Sequence, residues 1–125
     1  MITRRVERLQ AAVAALYAAG VPLVVGSDSG NWPVFLYEFH GPTTLRELAL
    51  VQGAGVPPGE VLRMATLDGA RLLGLDDELG TIEVGKRASF VVVDGDPLQD
   101  VGVLRDARLV VLDGEARTPA AWVTP

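Results

Sequence analysis

Cysteine is absent from the 125 residues, and histidine occurs only once. The absence of cysteine excludes disulfide scaffolds, thiolate metal sites and a cysteine nucleophile. The formal net charge is −5 and the basic residues form no stripe, so we expect no nucleic-acid partner. The longest apolar run near the start, Ala11–Ala19, is too short to span a membrane, and no signal-peptide cleavage pattern follows it. We therefore expect a cytoplasmic protein that contacts no membrane.

The chain lacks the length of a complete eight-stranded α/β barrel, which needs about 250 residues. It also lacks the glycine-rich loops that hold phosphates and the Gly-x-Ser-x-Gly turn of serine hydrolases. Apolar residues make up 49% of the sequence and charged residues 22%, as in globular domains. Fourteen glycines and eight prolines without a periodic repeat predict many turns.

The first half of the sequence predicts helices around a single short strand. Apolar residues spaced three and four apart predict an amphipathic helix that Gly20 and Pro22 end. The unbroken apolar run Leu23–Gly26 predicts a buried strand covered on both faces, as in parallel sheets. After a loop over Ser27–His40, the capping box Thr44–Glu47 predicts the start of a helix that ends at the next Gly-Ala-Gly.

The second half predicts two short helices and a β-rich end. The first helix begins at a pair of prolines and has Val61, Leu62 and Ala65 on one face. The second ends at Gly74, and Thr66 and Asp68 are its candidate caps. Three short β-type runs separated by glycine turns follow: Thr81–Glu83, Phe90–Asp94 and Leu109–Asp113.

The single strand in the first half has no partner in the sequence around it. A parallel strand needs hydrogen-bonded neighbours, and no strand is predicted before position 21. We therefore expect that another copy or another chain completes the sheet, or that the chain is a piece of something larger.

Asp28 is the main candidate for chemistry because it follows the buried apolar run directly. Catalytic groups in α/β folds gather at the carboxyl ends of parallel strands. The neighbouring glycines and serines are small, which leaves room for a metal or a substrate. An aspartate in a Gly/Ser loop is also commonly a turn or cap residue, and the local sequence leaves both interpretations open.

His40 forms a Glu-x-His pair with Glu38, and an extended segment would place both side chains on one face. With Asp28 they could supply three metal ligands. The spacing matches no recognised site, so a histidine near a cap or pocket wall is the preferred interpretation. The aromatic residues of the same loop either line a substrate pocket or fix the loop: Trp32, Phe35, Tyr37 and Phe39.

Three stretches of the sequence are informative as a set. The first is AGVPLVVGSDSG at Ala19–Gly30. The second comprises Leu45–Leu48, Gly55–Thr66 and Ala70–Gly74, and the third comprises Leu79–Ala88 and Phe90–Leu98. In their order and spacing they resemble the C-terminal third of the amidohydrolase superfamily, near its imidazolonepropionase- and prolidase-like members.

The resemblance implies an α/β fold. Residues 1–78 would form the C-terminal portion of a (β/α)₈ TIM barrel, with its last strand and the helices that flank it. Residues 79–125 would form part of a small β-sandwich domain. In the family, the aspartate that ends strand eight binds a divalent metal and manages the proton of the metal-bound water. That role falls on Asp28 by position. Zinc is the expected metal in the complete enzyme, and we expect none on this chain alone.

The resemblance also implies what the chain lacks. The family's His-x-His pair on strand one, its bridging Lys or Glu and its two further histidines have no counterpart here and would lie upstream of Met1. His40, Asn31 and Trp32 are the expected substrate contacts.

Ser89 stands where the family usually has aspartate. This departure affects a structural turn of the β-rich end, and nearby Lys86 is expected to be solvated.

Three hypotheses follow for the function. The first is a C-terminal fragment or subunit of a metal-dependent amidohydrolase that hydrolyses amide-type C–N bonds of small molecules and is incomplete on its own. Its partner would be the upstream barrel half or a second copy. The alternative is a non-catalytic binding or assembly module derived from the same fold. The third is an enzyme made of two chains.

Overall fold

Five α-helices, one 3₁₀ helix and three strands form the part of the chain that the computed structural model describes, residues 2–29 and 41–123. The helices are α1 (Ile2–Ala18), α2 (Pro42–Gly53), α3 (Pro58–Ala65), α4 (Leu67–Leu73) and α5 (Pro119–Val123), and the 3₁₀ helix is Val101–Asp106. The strands are β1 (Phe90–Val93), β2 (Ala107–Leu112) and β3 (Glu115–Arg117).

The predicted first helix and its end are confirmed. Gly20 has a φ of 72°, and its amide donates to the carbonyl of Tyr17 at 3.0 Å. The next amide, of Val21, donates to the carbonyl of Leu16 at 3.1 Å. These two bonds satisfy carbonyls at the helix end and turn the chain sharply, as a glycine just after a helix commonly does.

The predicted capping box at the start of α2 is wrong. The helix begins at Pro42, so Thr44 is its third residue, and Gly41 occupies the N-cap without a side-chain hydrogen bond. Proline at the first position of a helix has a suitable φ and needs no partner for a missing N–H. Pro42 therefore starts the helix two residues before the predicted cap, whereas the predicted end near Gly53 is confirmed.

Helices α3 and α4 lie where they were predicted, with two differences in detail. Of the predicted face of α3, Val61 is buried and Leu62 packs against the core, whereas Ala65 is exposed and Met64 is buried in its place. Of the two candidate caps of α4, Thr66 is the N-cap and Asp68 is not. Asp68 instead lies in the first turn of α4, where a negative charge is favourable.

Residues 21–28 have no regular secondary structure, so the predicted buried strand at Leu23–Gly26 is wrong. Exposure alternates from Leu23 to Asp28 as in an extended chain, and we call residues 21–28 the extended segment. A strand requires a ladder of backbone hydrogen bonds to a neighbour, and the described residues place no strand beside this segment. The predicted cover on both faces is also missing, because Val21 and Val24 are each 43% exposed.

The three strands form an antiparallel sheet in the order β1-β2-β3. The β2–β3 hairpin closes through Asp113 and Gly114, whose φ values of 50° and 84° suit a two-residue hairpin turn. The glycine turn that the sequence predicts at Asp113–Gly114 is confirmed, but sequence reasoning missed the short strand after it. The predicted β-type run Thr81–Glu83 is wrong as a strand, since it pairs with no described strand and Ile82 is 82% exposed.

Lys86 is not solvated as predicted. Its side chain is 14% exposed, and Nζ donates to the carbonyl of Asp76 at 2.7 Å and to Oγ1 of Thr81 at 2.6 Å. The lysine thus holds together the irregular segment between α4 and β1. At the end of that segment, the Ser89 hydroxyl accepts a hydrogen bond from the Asp113 amide at 3.1 Å, which joins it to the β2–β3 turn.

One hydrophobic cluster joins the helices to the 3₁₀ helix. Its buried members are Leu48, Val51, Val56, Val61, Met64 and Val101. Two glutamines reinforce it from α1 and α2. Gln10 donates to the carbonyl of Leu50 at 2.9 Å, and Gln52 accepts from the amide of Val101 at 2.9 Å.

None of the helices in the described part of the chain has both the length and the hydropathy that spanning a bilayer requires.

Candidate functional site

The extended segment 21–28 has two different faces. Leu23 and Val25 are half-buried and pack against the hydrophobic cluster, whereas Val24, Gly26 and Asp28 are exposed. This alternation is what an extended chain produces, because successive side chains point to opposite sides. Asp28 therefore lies on the open face, away from the helices that hold the segment.

The segment is anchored to α3 by one backbone hydrogen bond. The amide of Val25 donates to the carbonyl of Met64 at 3.4 Å. Met64 is the second-last residue of α3, where helix carbonyls have no donor within the helix. The bond therefore pairs a carbonyl in the last turn of α3 with an amide of the extended segment, three residues before Asp28.

Asp28 has a left-handed backbone conformation, with a φ of 49°. Aspartate tolerates this conformation better than most residues. The hydroxyl oxygens of Ser27 and Ser29 lie 2.7 Å apart in a hydrogen bond that spans Asp28, and the Ser29 amide donates to Ser27 Oγ at 3.4 Å. No residue in the described part of the chain pairs with the Asp28 carboxylate, so the carboxylate is not used as a cap there.

The other predicted site residues cannot be placed beside Asp28. Asn31, Trp32, Glu38 and His40 all lie outside the described residues. Their proximity to Asp28, either as metal ligands or as substrate contacts, therefore stays a prediction.

The donor type of Asp28 suits a divalent metal, but the number of donors does not suffice. Within residues 2–29 and 41–123, no group of three or more His, Asp or Glu side chains could hold a metal ion. A catalytic zinc takes about three protein ligands. The described residues therefore do not form a metal centre among themselves, and the role of Asp28 as a metal ligand stays a prediction.

Sequence reasoning missed the anchor of the segment. Met64 and Thr66 gave no signal as site residues, because their contribution is a backbone carbonyl and a break between two helices. The break itself is visible in the sequence as a threonine between two helical patterns, since β-branched residues are less favoured inside helices.

A comparison with protein families matches residues 3–117 of this chain to the Amidohydrolase family. The chain belongs to that family. Proteins of the Amidohydrolase family are generally metal-dependent, and the similar curated proteins are named as deaminases and hydrolases.

One curated relative and two solved structures illustrate the similarity. This amidohydrolase chain is 42% identical over 85 residues to a 5-methylthioadenosine/S-adenosylhomocysteine deaminase of Desulforudis audaxviator, covering 66% of this chain and 20% of the relative. A Xaa-Pro dipeptidase with bound methionine superposes with a TM-score of 0.76 at 29% identity, over 87% of this chain and 25% of that one. Phenylurea hydrolase B superposes with a TM-score of 0.77 at 26% identity, over 90% of this chain and 28% of that one. The chain spans between 20% and 28% of the length of these proteins.

Proposed function

We propose that this chain is the C-terminal part of a metal-dependent amidohydrolase that hydrolyses C–N bonds of small molecules, and that it is incomplete on its own. The observation that carries the proposal is the extended segment 21–28. One of its faces packs against helices, and its open face ends in the exposed Asp28 carboxylate. That is the arrangement of a barrel strand whose neighbouring strands lie elsewhere, with the functional group at its carboxyl end.

The exposed surface supports the same proposal. The chain exposes 8995 Å² at a mass of 13.2 kDa. A compact monomer of that mass exposes about 6,400 Å². The excess of about 2,600 Å² is an area of the size that permanent interfaces bury. We propose that the upstream half of the barrel, or a second copy of the chain, covers this area.

Within the chain, residues 1–78 belong to the barrel in this proposal and residues 79–125 to the β-sandwich domain. The sheet supports the division, because all three strands follow residue 89. The two parts are nevertheless packed together. Val101 of the 3₁₀ helix is 2% exposed within the helical cluster, and its amide is bound by Gln52.

Asp28 is the proposed catalytic residue and metal ligand of this chain. A divalent metal, zinc in our proposal, would supply Lewis acidity and lower the pKa of water to about 7. Asp28 contributes a carboxylate that no described residue neutralises, so it is available to bind a metal and to accept a proton. The backbone on both sides of Asp28 is held by the Ser27–Ser29 hydrogen bond, which limits the directions in which the carboxylate points.

Asn31, Trp32 and His40 are the proposed substrate contacts, because they follow Asp28 within twelve residues of the chain. Small-molecule sites combine aromatic walls with a few placed polar groups, and these three residues supply both kinds. The names of the relatives, a nucleoside deaminase, a dipeptidase and a phenylurea hydrolase, support C–N bonds as the target and leave the substrate open.

The proposal is tested by comparing the 125-residue chain with a completed protein, in which the chain is joined to or co-expressed with the upstream barrel half. Metal content after dialysis and hydrolysis of a panel of amides, ureas and aminopurines are measured for both. We expect stoichiometric metal and turnover only in the completed protein. Stoichiometric metal on the isolated chain would contradict the proposal and favour a site made of Asp28, Glu38 and His40. A completed protein without metal or turnover would favour the non-catalytic module instead.

A further inference from the structure

The exposed side of α1 is apolar over most of its length. Between positions 9 and 19, the side chains with a polar atom are Gln10, which donates to the Leu50 carbonyl, and Tyr17, which packs against the hydrophobic cluster. The exposed residues of that range are all alanine or leucine: Leu9, Ala11, Ala12, Ala15, Leu16, Ala18 and Ala19. A surface helix normally carries polar residues on its outer side, whereas a helix that is apolar all round is buried. We therefore expect this side of α1 to be covered.

The upstream half of the barrel would reach only part of this side. The helices of an eight-stranded α/β barrel form its outer ring, so the outer side of each helix faces away from the barrel. Val13 and Tyr17 pack against the hydrophobic cluster and mark the inner side of α1. At 3.6 residues per turn, Leu9 and Leu16 lie on a flank, where a neighbouring helix would cover them. The outer face of α1, opposite Val13 and Tyr17, comprises Arg4, Arg8, Ala11, Ala12, Ala15 and Ala19.

The two ends of α1 differ in charge. Arg4, Arg5 and Arg8 are exposed near the N-terminus of the helix, and none of them pairs with a described residue, including Glu7, the one acidic residue of α1. The last turn of α1 has no basic residue. Because a helix has a partial positive charge at its N-terminus and a partial negative charge at its C-terminus, the arginines lie at the less favourable end. The C-terminus of a second, antiparallel α1 would supply the negative end that they lack.

We propose that the outer face of α1 is a contact between two copies of the completed protein, in which the two α1 helices pack antiparallel about a twofold axis. The inference rests on the proposed function, since it takes α1 as an outer helix of a barrel. With Ala11 and Ala12 at the axis, Arg8 faces Ala15 of the second copy and Arg4 faces Ala19. Each long arginine stem then lies over a small alanine, and its guanidinium lies near the negative end of the opposite helix. The face is therefore complementary to itself, as a twofold interface requires.

The mass of the completed protein, measured by analytical ultracentrifugation over a range of concentrations, tests the contact. We expect a dimer. Ala15→Lys places a positive charge opposite Arg8 twice in each dimer, so we expect the dissociation constant to rise about 10- to 100-fold. Lysine is a good helix former and position 15 is exposed, so the melting temperature and the turnover of the monomer should stay those of the parent.

A charge exchange tests the antiparallel arrangement itself. Arg8→Glu alone should also weaken the dimer, because it places a negative charge beside the negative end of the opposite helix. Arg8→Glu combined with Ala15→Lys places opposite charges face to face, so the double variant should recover most of the parent's dimerisation. Arg46→Glu is the matched control. Arg46 is exposed on α2 and pairs with no described residue, so the same change of charge outside the outer face should leave the dissociation constant unchanged.

Four results would overturn the inference. They are a completed protein that stays monomeric at every concentration, an equal effect of Arg46→Glu, no recovery in the double variant, and loss of the folded state in Ala15→Lys. The last result would show that the upstream half covers the outer face. The mass does not depend on turnover. A dimer without turnover would contradict the proposed function alone, whereas a monomer with turnover would contradict the dimer contact alone.

Discussion

The isolated chain should associate with itself or behave as a loose globule, because it exposes far more surface than a compact protein of its mass. The isolated chain lacks the partner that we expect to cover its open faces. The uncovered area is about 2,600 Å², the excess of its accessible surface over that of a compact monomer of the same mass. Apolar side chains contribute to this surface: Leu72 is 70% exposed, Leu73 72% and Val84 fully exposed. Large exposed apolar patches mark interaction surfaces in soluble proteins, and we expect such a surface where the upstream half of the barrel would pack.

Light scattering and small-angle X-ray scattering at several concentrations would measure this behaviour. We expect a mass that rises with concentration, or a monomer whose near-UV circular dichroism is weak and which binds a hydrophobic dye. Addition of the upstream barrel half should abolish the rise of mass with concentration, or the weak circular dichroism and the dye binding. A compact monomer with a radius of gyration of about 14 Å would refute the reasoning. So would a sharp, cooperative melt of the isolated chain.

Two further predictions concern stability in the completed protein. Val61 is 0% exposed, so Val61→Ala should lower the unfolding free energy by about 2–4 kcal/mol in urea titrations. The same substitution at Val84 is the matched control, and an equal loss at both positions would contradict the assigned core. The Asp113 carboxylate accepts two hydrogen bonds from Arg87, at 2.8 and 2.7 Å, and these hold its pKa below the ordinary value. The pair therefore stabilises the fold above the ordinary carboxyl pKa, and this contribution is lost as the pH falls through the lowered value. Asp113→Asn should accordingly be less stable than the parent at neutral pH and equally stable at strongly acidic pH, as followed by melting temperature. If the two melting temperatures differ equally at neutral and at strongly acidic pH, the Arg87–Asp113 pair is not the cause of the difference.

Local signals in the sequence sufficed for α1, α3, α4 and the end of α2, but they predicted neither the 3₁₀ helix nor α5. The spacing of apolar residues in α1 and the glycine at position 20 act within a few residues of each other, so the structure of that region could be predicted. The start of α2 was misassigned because two local signals compete there, and Pro42 precedes the capping box around Thr44. Competition of this kind shifts a boundary without changing the type of element.

Features that depend on distant parts of the chain could not be predicted. Leu23–Gly26 has the composition of a buried strand, but a strand forms only where a neighbour supplies the hydrogen bonds. Lys86 is held by a carbonyl oxygen ten residues away and a hydroxyl oxygen five residues away, which no composition rule anticipates. The position of Asp28 at the end of an apolar run was readable from the sequence. Its left-handed backbone and the anchor of its segment at Met64 were not.

The most direct test of the central claim is the turnover of Asp28→Asn in the completed protein. Asparagine keeps the size of the side chain and tolerates a left-handed backbone, but it removes the charge and the basicity. Because the carboxylate is exposed, the melting temperature should barely change. We predict that kcat falls by about two to four orders of magnitude. His40→Asn, measured beside it, should act more mildly and chiefly on KM, as expected of a substrate contact. Turnover of a folded Asp28→Asn protein within a few-fold of the parent would contradict the account and make Asp28 a turn residue.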